Sequence, residues 1–125
     1  VGKKLNKNYM ITIYGIPACN TMKKTFEFLQ AKGIEYTFHN YKKEGISSTI
    51  LQGFIDKLGL EKVLNKQGST YRQLPDETKA TLKIQNEAIA FLLEKNSAIK
   101  RPIITDGKRI IAGFNSEELD RWLNT

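Results

Sequence analysis

Strand-like patterning occurs toward the two ends of this sequence and not between them, and that spacing restricts the fold more than any other feature. Near the start, "YMITIYG" is a short β-branched run that breaks at Gly15 and Pro17, as a buried strand does. From Asn20 the pattern turns helical. Met22, Phe26 and Leu29 recur at i, i+4 and i+7, Lys23, Lys24, Glu27 and Gln30 face away, and Gly33 fits a stop just past the helix. "EYTFHNY" then alternates as a second strand. The three segments make a β-α-β unit, whose crossover is expected to be right-handed and its strands parallel.

Residues 46–98 contain no convincing strand. Ser47 is placed to cap a helix carrying Ile50, Phe54, Ile55 and Leu58, closed by Gly59. Beyond the polar loop "NKQGSTYRQ", Pro75 opens a further helix, and Asn86 caps another that holds Ile89, Leu92 and Leu93. "RPIIT", the turn "DGKR" and "IIAGF" make a hairpin. Asn115 or Ser116 caps a final helix with Leu119, Trp122 and Leu123 on one face. The order is strand, helix, strand, helical block, strand, strand, helix. That is the plan of a thioredoxin-like, glutaredoxin-type α/β fold: a mixed four-stranded sheet with an all-helical insertion at about 46–98. No repeat or interdomain linker interrupts residues 10–125, so a single domain is expected.

Composition narrows the function classes. At 125 residues and 40% hydrophobic, the chain is long enough to bury one core. No apolar run approaches ~18 residues, so no transmembrane helix is expected. Residues 1–9 read as a tail, natural or left from expression, with Met10 a candidate start; their lysines precede no apolar stretch, unlike a secretory signal. The net charge is +7, but Lys3, Lys4 and Lys7 supply three of those charges, leaving +4 on the rest. The remaining basic pairs are dispersed and flanked by acids, which reads as a solvated surface. Nucleic-acid binding would call for aromatic-basic interleaving that is absent. A single cysteine forbids an intramolecular disulfide and fits a cytoplasmic location.

That cysteine, Cys19 in "YGIPACNT", falls just past a strand and at the first turn of a helix. Unsatisfied N–H groups and the positive end of the helix dipole favour a thiolate there. Lys23, one turn on, would add charge if it turned back. A small buried hydrophobe is the competing reading. "KRPII" bears on the choice, because it puts Arg101 and Pro102 immediately before the third strand. In a thioredoxin-like fold that loop faces the end of the first helix, and an X-Pro bond there is often cis. Arg101 would then point at Cys19, where a guanidinium holds an oxyanion or stabilises a thiolate. The alternative is an ordinary surface arginine.

"ITIYGIPACNT" followed by "KRPII", with "VLNKQGSTYRQL" and "IIAGFN", resembles the ArsC family of glutaredoxin-linked arsenate reductases and their Spx and YffB-like relatives, most closely the YffB-like branch. The resemblance runs from Met10 to Leu123. It implies a thioredoxin-like fold, a reactive Cys19 assisted by Arg101, and a cis peptide before Pro102. It also implies glutathione as co-substrate with no bound cofactor, glutaredoxin as a possible partner, and a small oxyanion or disulfide as substrate. Asn20, Thr21, Asn65, Arg72 and Pro102 would line the substrate or glutathione site. Three departures matter. Of the three arginines that surround the cysteine in arsenate reductases, one corresponds to Arg101; the others fall on Asn65 and near Gly113, and the family's histidine falls on Gly15. Held tetrahedral oxyanions need several convergent donors, so arsenate reduction stands as the alternative. Spx switches through C-x-x-C, whereas the matching "CNTM" ends in Met22, so a Spx-like regulator binding a polymerase subunit would act without that switch.

The remaining candidates carry less. His39, the single histidine, lies near the C-terminal end of the second strand and could pair with Cys19 or be an exposed strand residue. One Cys and one His do not make a typical structural zinc site. Glu117, Glu118 and Asp120 follow a cap, where acids suit a helix start. The expected activity is glutathione-dependent monothiol thiol–disulfide reduction through Cys19, with Arg101 as the anion-holding group and no metal.

Overall fold

The computed structural model describes residues 10–124, so the reading of residues 1–9 as a tail lies outside the described residues. The chain separates into two compact units, one formed by the chain up to His39 together with the chain from Arg101, the other by Asn40–Lys100.

In the first unit, strand β1 (Ile11–Gly15) buries alternate residues, with Ile11 and Ile13 on one face and Thr12 and Tyr14 half-buried on the other. Helix α1 (Asn20–Ala31) covers the Ile11–Ile13 face. Its buried residues are Met22, Thr25 and Leu29, so Thr25 takes the place expected of Phe26. A threonine is tolerated there because its Oγ1 donates to the Thr21 carbonyl at 2.8 Å, leaving no hydroxyl unsatisfied. Phe26 instead lies half-buried between Tyr36, stacked at 5.4 Å, and Phe38, edge-on at 5.1 Å. The helix stops as expected. Gly33 takes φ +69°, its N–H reaches Gln30 O, and the Ile34 N–H reaches Leu29 O, closing a Schellman turn with Ile34 and Leu29 both in the core.

Strand β2 (Tyr36–Asn40) follows, and after the helical block come β3 (Ile103–Thr105) and β4 (Ile110–Ala112). The four form one mixed sheet in the order β2-β1-β3-β4, with β1–β3 and β3–β4 antiparallel. The hairpin turn is built by Asp106, whose carboxylate accepts from the N–H groups of Lys108 (3.0 Å) and Arg109 (2.7 Å), while Gly107 supplies φ +96°. Helix α8 (Ser116–Leu123) is capped by Asn115, whose Oδ1 accepts the Glu118 N–H at 2.9 Å. It inserts Leu119 and Leu123 beside Ile13, Leu29 and Ile104. Trp122 stays half-buried, with the Arg109 guanidinium 4.5 Å from its ring centroid. Strand order, connection order and flanking helices are those of a thioredoxin-like fold.

The second unit is helical, and it starts earlier than expected. Asn40 caps a short helix α2 (Tyr41–Glu44) by accepting from the N–H of Lys42 and Lys43, so the helical block begins at Tyr41, read from sequence as the end of the second strand, and not at about 46. Then follow α3 (Ser48–Leu58), capped by Ser47 Oγ and closed by Gly59, α4 (Leu60–Val63), α5 (Ser69–Arg72), α6 (Asp76–Thr81), α7 (Gln85–Glu94) and a 3₁₀ turn at Asn96–Ala98. Asn86 is not a cap. It sits inside the first turn of α7, whose cap position is Ile84 without a side-chain bond. Leu93 is 38% exposed, and Ala88 with Leu92 forms the buried stripe instead. One antiparallel bridge, Leu64 to Ile99, is the strand-like pairing described in this unit. Among the described residues no helix is long and apolar enough to cross a membrane.

Leu119 is fully buried among apolar neighbours, so Leu119→Ala should lower the free energy of unfolding by about 2–5 kcal/mol. Asn115→Ala removes one capping bond and should lower it by about 1 kcal/mol. Urea denaturation of the three proteins side by side checks that order.

Candidate active site

The pairing of β1 with β3 places the site. Tyr14 stands opposite Ile103 in an antiparallel register, so the chain leaving β1 at Gly15 meets the chain entering β3 at Arg101 and Pro102. The Arg101–Pro102 peptide is cis, as expected, and Pro102 is buried. Its carbonyl accepts the Gly113 N–H at 2.8 Å, which ties the far end of β4 to the same spot.

Cys19 occupies the cap position of α1, with an extended backbone (φ −153°, ψ 130°). Its N–H donates to Pro17 O and its carbonyl accepts the Lys23 N–H, each at 3.0 Å, so the turn "IPAC" is closed on both sides. The side chain is half-buried against the core cluster that contains Met22. The side chain makes no capping hydrogen bond. Its acidity nevertheless responds to the surroundings. Partial burial pushes the thiol pKa up, but the Met22 N–H, the Arg101 side chain, the Thr21 N–H and the Arg101 charge together bring it below its ordinary value.

Of the residues expected to form the site, Cys19, Asn20, Thr21, Arg101 and Pro102 belong to the first unit. Asn20 is the exposed first residue of α1, and Thr21 contributes its backbone N–H to the sulfur. Asn65 and Arg72 belong to the helical unit. Asn65 there has a local role, since its Oδ1 accepts the Gln67 N–H at 3.1 Å in a turn, and Arg72 is the exposed last residue of α5. Lys23 is exposed, and neither it nor His39 is among the groups that shift the Cys19 pKa. His39 packs on Tyr14 instead, with ring centroids 4.8 Å apart. Sequence reasoning missed the Met22 N–H, because Met22 reads as core and as the absent second cysteine. It also gave Gly113 no positive role, although its φ of +85° admits few residues besides glycine.

Arg101→Ala should raise the pH midpoint of Cys19 alkylation toward the ~8.5 of a free thiol, while Arg101→Lys should restore part of the depression through charge alone. The depressed thiol also makes stability pH-dependent. Its contribution is fully present above the unfolded-state pKa of about 8.5 and is lost as pH falls through the folded-state value. Unfolding of the parent and Cys19→Ser, compared between neutral and mildly alkaline pH, should therefore show the parent gaining relative stability as pH rises.

Known proteins share this fold. The model of the ArsC family matches residues 14–122. The solved structure of the YFFB protein superposes with a TM-score of 0.86 at 37% identity, over 91% of this chain and 99% of that one. That of an arsenate reductase (ArsC) related protein from Brucella melitensis gives 0.74 at 34% identity, over 93% and 96%. The global transcriptional regulator Spx of Lactiplantibacillus plantarum is 29% identical over 119 residues, 91% of this chain and 86% of the regulator. With a family match that takes in both Cys19 and the cis Arg101–Pro102 segment, this chain belongs to the ArsC family.

Proposed function

We propose that the chain is an oxidoreductase that reduces disulfides by a monothiol mechanism, with glutathione as the electron donor. The observation that carries this reading is a half-buried cysteine, the only one in the sequence, whose thiolate is favoured by Arg101 and by the first N–H groups of α1. Cys19 thiolate attacks a substrate disulfide, a Cys19–S–S–R bond forms and the other sulfur leaves as a thiolate that takes up a proton. A glutathione thiolate then attacks the Cys19 sulfur and releases the remaining substrate thiol. A second glutathione attacks the glutathione sulfur, so that two glutathiones leave as the oxidised dimer and Cys19 returns as thiolate. Each step is in-line displacement at sulfur, and the second thiol comes from outside because the chain holds none. The cytoplasm, where glutathione is plentiful and thiols stay reduced, suits this chemistry.

Arg101 serves both ends of the reaction. It favours the attacking thiolate, and its guanidinium suits a carboxylate of the incoming tripeptide or an oxyanion substrate. We assign substrate or glutathione binding to Asn20, Thr21 and Pro102, which lie near Cys19 and Arg101 along the chain; for Asn65 and Arg72 the same role is read from the sequence alone. Arsenate is the second oxyanion reading, suggested by the relatives' names; Asn65 and Gly113 in place of arginines leave it fewer donors. The likeness to Spx over nearly the whole chain favours one further reading, a regulator that binds a polymerase subunit without catalysis.

Incubation with oxidised glutathione should add one glutathione to Cys19 by mass spectrometry, and reduced glutathione should remove it. Cys19→Ser should abolish disulfide reduction in a glutathione-coupled assay, and Arg101→Ala should slow it by about tenfold or more. Arsenate-dependent glutathione oxidation with glutaredoxin present would shift the assignment to arsenate. A polymerase complex that survives Cys19→Ser, with no turnover of either substrate, would shift it to the regulator.

A further inference from the structure

Gly15 is a glycine for a reason other than backbone freedom. It ends β1 inside the sheet, and it is not among the glycines at positive φ, so its conformation is open to any residue. Glycine weakens a strand and marks places where something approaches closely. Here the approach is by a side chain. A Cβ at position 15 would overlap Sδ and Cε of Met22 and would stand 3.4 Å from Arg101 Cβ. The thioether tip, the bare Gly15 Cα and the base of the Arg101 side chain therefore converge on one small volume.

Met22 has little room to leave that volume. It is fully buried and belongs to the cluster formed by Ile13, Leu29, Ile104 and Leu119. Methionine adapts its shape to an irregular gap, so a methyl at position 15 displaces the thioether tip into its closely packed surroundings. The same residue sits in the first turn of α1, three positions beyond Cys19.

We propose that Met22 is the positioning residue of this site: its thioether, seated over Gly15 beside Arg101, locks the first turn of α1 to the end of β1 and to the segment that delivers the guanidinium. One side chain thereby sets two distances to the Cys19 sulfur, that of its own backbone N–H and that of Arg101. Both groups favour the thiolate, so a displaced thioether weakens both together. The inference rests on Cys19 working as a thiolate, and it adds that Gly15 and Met22 act as a matched pair.

The test is the pH profile of Cys19 alkylation by iodoacetamide, read by mass spectrometry on the full chain, in the parent, Gly15→Ala, Met22→Ala, the double variant and Met22→Leu. Gly15→Ala expels the thioether and should raise the midpoint by roughly half a unit or more. Met22→Ala leaves the volume empty and should raise it similarly. In the double variant the new methyl at position 15 partly fills the space left by the thioether. Its midpoint should fall below that of either single variant, a non-additivity expected only of groups sharing one space. Met22→Leu should stay near the parent. A purely structural role would lower the melting temperature while leaving the midpoint in place. If Gly15→Ala does not fold, the comparison of Met22→Ala with the double variant decides. Strictly additive shifts, or an unmoved midpoint in Met22→Ala, would overturn the role of Met22 while leaving a depressed parent midpoint intact. An ordinary midpoint in the parent would overturn the thiolate reading, and the positioning role with it.

Discussion

Everything at this site descends from the antiparallel pairing of β1 with β3. The two strands are far apart in sequence, and their register of Tyr14 opposite Ile103 turns that separation into adjacency. Antiparallel order matters because it makes the exit of one strand neighbour to the entry of the other. The exit carries the turn to Cys19, and the entry carries Arg101 and the cis Pro102. A slip of one residue would turn Ile13 and Ile104 from the core to the opposite face, so the hydrophobic pattern that stabilises the sheet also fixes the alignment of thiol and guanidinium. Stability and chemistry are set here by one register.

The electrostatics of Cys19 are a contest in which several modest effects outweigh one. Burial disfavours the charged form, but the thiol is only half-buried, so that penalty is partial. Against it stand two backbone N–H groups, one guanidinium hydrogen bond and the charge behind it. The backbone donors are held by helical geometry and cost nothing to orient at the moment of reaction. Arginine adds a charge that stays protonated at every relevant pH, unlike a lysine brought into a partly dry site.

Much of this was legible in the sequence where local pattern and local structure coincide. The break after "ITIYG", the Gly33 stop, the Ser47 cap and the Asp106 turn each occupy a few consecutive residues and act over the same few. The Cys19–Arg101 pairing was legible less directly, through the expected fold plan, which brings the loop before the third strand to the first helix. Other features depend on contacts that periodicity does not report. Thr25 enters the core because a carbonyl one turn back satisfies its hydroxyl, and Phe26 leaves it because Tyr36 and Phe38 offer a ring surface. Asn40 reads as the end of a strand, yet its side chain starts a helix, which moved the boundary of the helical block. Asn86 fails as a cap because the helix begins before it, and cap propensity alone does not decide which residue is the first turn. Gly15 and Met22 were both read singly, and their meaning lies in the distance between them.

The lone thiol gives the site its logic. A second cysteine in the first turn would let the chain store its own disulfide; with Met22 at that place, any disulfide Cys19 forms joins it to another molecule. On the proposed monothiol reading, the surface around the sulfur accepts two different partners in succession, the disulfide that is attacked and the thiol that resolves it. A rigid pocket shaped to one of them would hinder the other. A cap position bordered by one guanidinium suits that requirement, because the guanidinium favours anionic character next to sulfur without being shaped to one partner. The buried thioether below supplies the rigidity that the open surface above does not, so precision is placed under the reacting atom and permissiveness in front of it.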